Sequence, residues 1–377
     1  MALQNAFTLN ANEIFASLGN MIISQQVFAD NVGKHQTLVD KARVDGGLYG
    51  DKKLYYASDV LKSEAWGKDS AAANLLALAR PDDPKVQDIT LDVFRQISLT
   101  VDNYLTKRAW ANEGAFSEFN SVMLGWIRET KRVYEGTLYN VFIGTTETSI
   151  GSQMQSIDLT TGLSGLSGIE KDRKEAELIA QALANLMVEM GDYSRDFNDY
   201  GFLRSYAEDA IKVVWNSKFI NKIRKVDLPT IFHKEGLVDK MEEDVLPARY
   251  FGHIVGESDI GSGKVIGTDG AYDSTKGTLR AVREFVYNDK HYFPGDALAT
   301  SGTYVAVVGG LEAKDVYVED DDVICKVLVK LPPMMSAFEV GTSFFNPKSL
   351  TENHYLTWGH NTLEKLDNYP FITVKAA

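Results

Sequence analysis

Residues 116–127 read Phe116-Ser117-Glu118-Phe119-Asn120-Ser121-Val122-Met123-Leu124-Gly125-Trp126-Ile127, and their spacing decides how the rest of the chain is read. Phe116, Phe119, Val122, Met123, Trp126 and Ile127 recur at i, i+3, i+6, i+7, i+10 and i+11, one apolar stripe on a 3.6-residue period. The spacing predicts an amphipathic helix. Arg128, Glu129, Lys131, Arg132 and Glu135 sit along its continuation, which ends near Tyr139.

Towards the C-terminus, residues 144–169 are rich in Gly, Ser and Thr and repeat a three-residue unit at Gly162-Leu163-Ser164-Gly165-Leu166-Ser167-Gly168, which predicts a flexible loop. A second helix is expected over 170–190. Glu170, Asp172, Glu175 and Glu177 complement the dipole at its start, Leu178, Ile179, Ala182, Leu186 and Met190 make its apolar face, and Gly191 stops it. After a turn-rich aromatic segment at 193–200, residues 210–215 predict a strand and 217–223 a short helix, the makings of a compact α/β element.

Towards the N-terminus, residues 44–98 hold few large aliphatics. They carry Gly46-Gly47, Gly50, Gly67 and Arg80-Pro81-Asp82-Asp83-Pro84, with one short helix expected at 71–79. So long a stretch with so little core material predicts a projecting loop or hairpin. The residues before it alternate small apolar clusters, Ile14-Phe15 and Met21-Ile22-Ile23, with Asn and Gln. They offer no thick apolar face and predict an arm that packs on something else. Residues 250–330 show recurrent glycines and short β-type runs, and predict an all-β insertion of about 80 residues in a discontinuous parent domain. Residues 338–374 return to strand and loop and should pair back onto the α/β element.

The 377 residues carry 39 basic and 52 acidic side chains, a net charge of −13, and are 44% hydrophobic. That apolar fraction excludes wholesale disorder, and the acidic balance argues against a dedicated nucleic-acid binder. The one cysteine, Cys325, lies in an apolar run and reads as a small core residue, so the chain is expected to fold in a reducing cytoplasm. No secretory or membrane-spanning signal is read. Gly261-Ser262-Gly263-Lys264-Val265-Ile266-Gly267 has the wrong spacing for a nucleotide loop and reads as a hairpin turn. The six histidines show no zinc spacing, and Glu319-Asp320-Asp321-Asp322 reads as a solvated acidic hairpin tip. No catalytic constellation, metal site or cofactor site is expected.

This order of elements resembles the HK97-fold major capsid proteins of tailed bacteriophages. Residues 116–139 look like the long helix after the projecting loop. Residues 193–229, with Asp196-Phe197-Asn198 and Phe219-Ile220-Asn221-Lys222-Ile223, look like the peripheral and axial core of capsid proteins from small short-tailed phages. Pro332-Pro333-Met334-Met335, Asn346-Pro347 and Tyr355-Leu356-Thr357-Trp358 look like its closing strands. The resemblance implies an α+β capsid fold: an N-terminal arm at 1–43, an extended loop at 44–98, a core at 99–249 and 331–377, and the all-β insertion at 250–330, which departs from the family.

It also implies self-assembly of many copies, as hexamers and pentamers, into an icosahedral shell. The shell encloses double-stranded DNA without specific binding, resides in the virion after synthesis in the host cytoplasm, and involves scaffolding and portal proteins but no membrane, enzyme activity or cofactor. The candidate intersubunit contacts are Ile14, Phe15, Met21, Ile22, Ile23, Tyr55 and Tyr56. Two other readings are a glycan-binding or carbohydrate-active protein using the β insertion and the aromatics Tyr355, Trp358 and Tyr369, and a divalent-dependent hydrolase built from scattered carboxylates.

Overall fold

A computed structural model describes residues 37–45, 52–63, 80–102, 113–146, 154–160, 163, 165–225, 242–254, 277–287, 289–299 and 315–377. The chain divides into two units. One comprises Met1–Lys52, Thr90–Tyr139 and Pro333–Leu363; the other comprises Lys53–Ile89, Asn140–Pro332 and Glu364–Ala377.

In the first unit the short helix α1 (Leu38–Ala42) leads into β1 (Arg43–Asp45), which pairs in parallel with β15 (Met334–Asn346). The Thr37 amide and hydroxyl both donate to the Asp40 carboxylate, at 3.1 and 2.7 Å, and so close the first turn of α1. Strand β15 is antiparallel to β16 (Thr351–Asn361), and β16 is antiparallel to β3 (Lys85–Asp102) along most of its length. Leu38, Val39 and Ala42 are buried, so the last residues of the predicted arm already belong to a folded element.

The predicted long helix is α2 (Glu113–Gly144), and its charges divide in an unexpected way. Arg128 and Glu129 are exposed, whereas Lys131 and Glu135 are buried beside Ile127 and Tyr134. Glu135 accepts from Arg43 at 2.9 Å and from the Ser336 hydroxyl at 3.2 Å, and lies 3.7 Å from Lys131. Lys131 donates to Glu339 at 2.5 Å. A carboxylate and an ammonium are tolerated here because each is paired several times over. Beside them the Tyr134 hydroxyl meets His360 Nε2 at 3.0 Å, and its ring stands edge-on to Trp358. Burial lowers the His360 pKa, which keeps the imidazole neutral. A Cβ at Gly359 would sit 2.9 Å from the Leu91 side chain and 3.0 Å from the Phe94 ring, so those side chains would have to shift to admit one.

In the second unit the predicted helix at 170–190 is α3 (Ile169–Gly191). Ile179, Leu186 and Met190 are buried as expected, joined by Ala176, Ala180, Leu183 and Met187, while Leu178 and Ala182 flank the core half-buried. The predicted strand and helix are β6 (Lys212–Asn216) and α4 (Ser217–Lys225). They belong to a five-stranded sheet ordered β5 (Met154–Ile157), β17 (Phe371–Ala376), β14 (Val323–Leu328), β6 and β7 (Glu242–Leu246). Every residue of β14 is buried, which is how a strand covered on both faces reads in sequence.

Two expectations change here. The region 250–330 is β-rich, yet its last strand, β14, hydrogen-bonds between β6 and β17 in this sheet. The other strands of that region form a second sheet and a hairpin. The sheet runs β12 (Ala297–Ala299), β9 (Leu279–Ala281), β13 (Val316–Glu319), β8 (Gly252–Ile254), β4 (Thr145–Thr146), and the hairpin joins β10 (Phe285–Tyr287) to β11 (Lys290–Tyr292). The predicted loop at 144–169 contributes β4 and β5, and its Leu159 and Leu163 are buried in the main core, because two leucines in a Gly-rich run are enough to anchor it. The expected helix at 71–79 and the turn at 261–267 lie outside the described residues.

Candidate assembly surface

The segment expected to project contains strand residues at both ends of its described part. Strand β2 (Lys52–Ala57) lies beside β3 in the sheet, and between them the chain continues through residues 58–63 and 80–84. Burial alternates along β2, so Lys53 and Tyr55 turn inward while Leu54 and Tyr56 face solvent. Within the second unit Lys330 lies over the Tyr55 ring at 5.1 Å and over Tyr369 at 5.4 Å. Burial raises the Tyr55 pKa, with Tyr369 adding to it. Of the paired candidates, then, Tyr55 is used by its own chain, and Tyr56, 67% exposed, is available. Ile14, Phe15, Met21, Ile22 and Ile23 lie outside the described residues.

The chain just after β2 and at the start of β3 is clamped by groups that the sequence does not single out. Asp59 accepts from the Leu203 amide at 3.0 Å and from Arg195 at 2.6 Å, and Arg204 donates to the Ser58 carbonyl at 2.7 Å. The Leu203 hydrogen bond and then the Arg195 guanidinium hold the Asp59 carboxyl at about 2. On the other strand Gln87 bridges the Lys365 carbonyl at 2.7 Å and the Asp367 amide at 3.1 Å. No motif marks these residues, since lone Asp, Arg and Gln in loops carry no periodic signal.

On either side of these contacts, Leu54, Tyr56, Val60, Leu61 and Val86 are all exposed, Leu61 at 77%. So many large apolar side chains on one thin element cannot be covered by the element itself, and exposed apolar groups gathered this way mark an interaction surface. In the first unit Phe94, Val340 and Phe344 are also exposed; register places them on the sheet face opposite to that of Trp358 and Leu356.

Chemistry that would point elsewhere is spoken for. Cys325 is fully buried and burial pushes its thiol pKa up. His253 meets Asp320 at 2.7 Å, and His291 pairs with Glu284. The acidic tip is paired, not free: Glu319 with Arg280, Asp320 with His253 and Lys375, and Asp321 with Lys218. Among the described residues no His, Cys, Asp and Glu group is arranged to hold a metal, and no helix is long and apolar enough to cross a membrane. Trp358 is 2% exposed, which removes it from the surface a sugar ring would stack on.

No protein-family model and no curated protein matches the chain. Solved structures do. A chain in the capsid structure of Staphylococcus phage Andhra is similar over 90% of this chain and 84% of its own length, at 9% identity and a TM-score of 0.55. A chain in the structure of the head fiber and inner core protein gp22 of native bacteriophage P68 covers 91% of this chain and 87% of its own, at 10% identity and a TM-score of 0.49. A chain in the capsid structure of the cyanophage P-SCSP1u covers 89% and 85%, at 9% identity and a TM-score of 0.42. The Andhra similarity carries the fold: this chain has the HK97-like fold of a phage capsid chain.

Proposed function

We propose that this chain is a major capsid subunit that assembles into the icosahedral shell of a phage head around double-stranded DNA. The observation that carries the reading is the shared fold over 90% of the chain with a capsid structure. A subunit with an apolar-rich hairpin has surface to bury on neighbours, and symmetric repetition of one heterologous contact closes a shell. The net charge of −13 suits a wall that encloses DNA without holding it.

In this reading Tyr56, with Leu54, Val60 and Leu61, is the hairpin contact, and Ile14, Phe15, Met21, Ile22 and Ile23 supply the arm contact. The arm ends before Thr37, the N-cap of α1, and the insertion spans the strands from β8 to β13, leaving β14 to the core. Scaffolding and portal proteins are its expected partners during assembly. Electron microscopy of the expressed chain, alone and with its genomic neighbours, tests the reading. Closed shells support it, and uniform monomers under every condition refute it.

A further inference from the structure

A groove of about 350 Å³ opens in the first unit between α2 and the β15–β16 pair, lined by Ile127, Arg128, Gly341, Thr342, Ser343, His354, Tyr355 and Leu356. Register puts Ser343 opposite His354 and Gly341 opposite Leu356, on the same face of the sheet. The groove therefore has an apolar floor of Ile127 and Leu356, both buried, and a rim of hydrogen-bond donors. Gly341 adds no side chain and leaves the middle open. None of the eight residues is acidic, in a chain where acids outnumber bases by 52 to 39. Arg128 is exposed and, among the described residues, has neither carboxylate nor carbonyl partner. His354 lies 4.0 Å from Glu352, and the Ser343 hydroxyl is uncommitted among the described residues.

We propose that this groove receives a carboxylate side chain of a second copy of the chain, with Arg128 as the principal donor and Ser343 and His354 beside it. The inference rests on the self-assembly reading above and names a contact within it. A guanidinium with no partner among the described residues matches a carboxylate's paired oxygens, and an apolar floor suits the methylene stem of a Glu or Asp. The next cations along α2 are already paired, Lys131 with Glu339 and Glu135 and Arg132 with Asp40, so Arg128 does not stand in the basic stripe that a nucleic acid requires, and the acid-rich surface of a neighbour is the better-matched source.

The test uses full-length chain under conditions in which the wild type forms particles. Arg128→Gln should raise the protein concentration for half-assembly by about threefold to tenfold, as loss of a partly desolvated charge pair would. The same change should leave the monomer's melting temperature unaltered. Arg128→Lys should assemble and, treated with a carbodiimide, yield an amide between position 128 and an acidic residue of another copy, identified by mass spectrometry in isotopically mixed particles. Particles that form equally well with Arg128→Gln and give no intersubunit link at position 128 overturn the groove contact while leaving the shell reading intact. Retention of labelled DNA by wild-type particles but not by Arg128→Gln particles overturns it in favour of a phosphate ligand. Failure of the wild type to form any particle sinks the shell reading and this contact together.

Discussion

Leu61→Ser separates what the hairpin does for its own subunit from what it does for a neighbour. Leu61 is 77% exposed in the chain and lies next to Val60, 51% exposed. In the isolated subunit the substitution removes almost no burial, so stability should change by less than about 0.5 kcal/mol. Its side-chain neighbour Lys62 pairs with Asp82 at 3.1 Å, an exposed contact that adds little either way. In an assembled shell the account buries Leu61 against the next subunit. Full burial of a leucine is worth about 2 kcal/mol, and the roughly three quarters still exposed here corresponds to about 1.5 kcal/mol per contact. That is about a tenfold rise in the concentration at which particles form, with more if one subunit's contact is repeated cooperatively. Light scattering and sedimentation across a concentration series read the threshold, and thermal unfolding of dilute subunit reads the control. A threshold unmoved within twofold, or a melting temperature that falls with it, refutes the reasoning.

Four further outcomes follow from named contacts. The Asp59 pKa is depressed from 3.8 to about 2, so its clamp contributes fully above pH 4 and is lost as pH falls towards 2; pepsin cleavage within 52–63 should rise over that interval, and Asp59→Asn should remove the pH dependence of the clamp and speed cleavage at pH 4. Glu135→Leu removes a charge-assisted partner from Arg43 and from the buried Lys131, leaving them Asp40 and Glu339, and should cost about 1–3 kcal/mol of stability by denaturant titration, a large effect for a charge on a helix that reads as amphipathic. Gly252→Ala would place a Cβ 2.1 Å from the Val318 carbonyl oxygen, so it should lower the melting temperature and abolish soluble yield at 37 °C. Deleting residues 1–36 should leave the circular dichroism of the folded chain and abolish shells, whereas a cut at residue 40 also removes buried Leu38 and Val39 and should destabilise the subunit.

What could be read from sequence was what is local. The helix over 116–139 and the next one over 170–190 follow from a 3.6-residue period. What could not be read was what distant segments do to one another. Lys131 and Glu135 look like an ordinary i, i+4 surface pair, and their burial is set by Arg43, Ser336 and Glu339, which lie 92 to 208 positions away. Strand β14 looks like one more strand of the β-rich stretch it follows, because its partners at 212–216 and 371–376 are remote. At the candidate surface, period-2 alternation places Tyr55 and Tyr56 on opposite sides of β2, Tyr55 half-buried and Tyr56 exposed. Arg128 carried no signal of its own, since only the fold brings it to a groove with no acidic residue among its described lining.

Cryo-electron microscopy of particles from the expressed full-length chain tests the central claim most directly. The account predicts closed icosahedral shells whose subunits place 52–63 and 85–89 against a neighbour, with Tyr56 and Leu61 buried there. Particles in which that hairpin faces solvent on every subunit, or a chain that stays monomeric with and without its genomic neighbours, would contradict it.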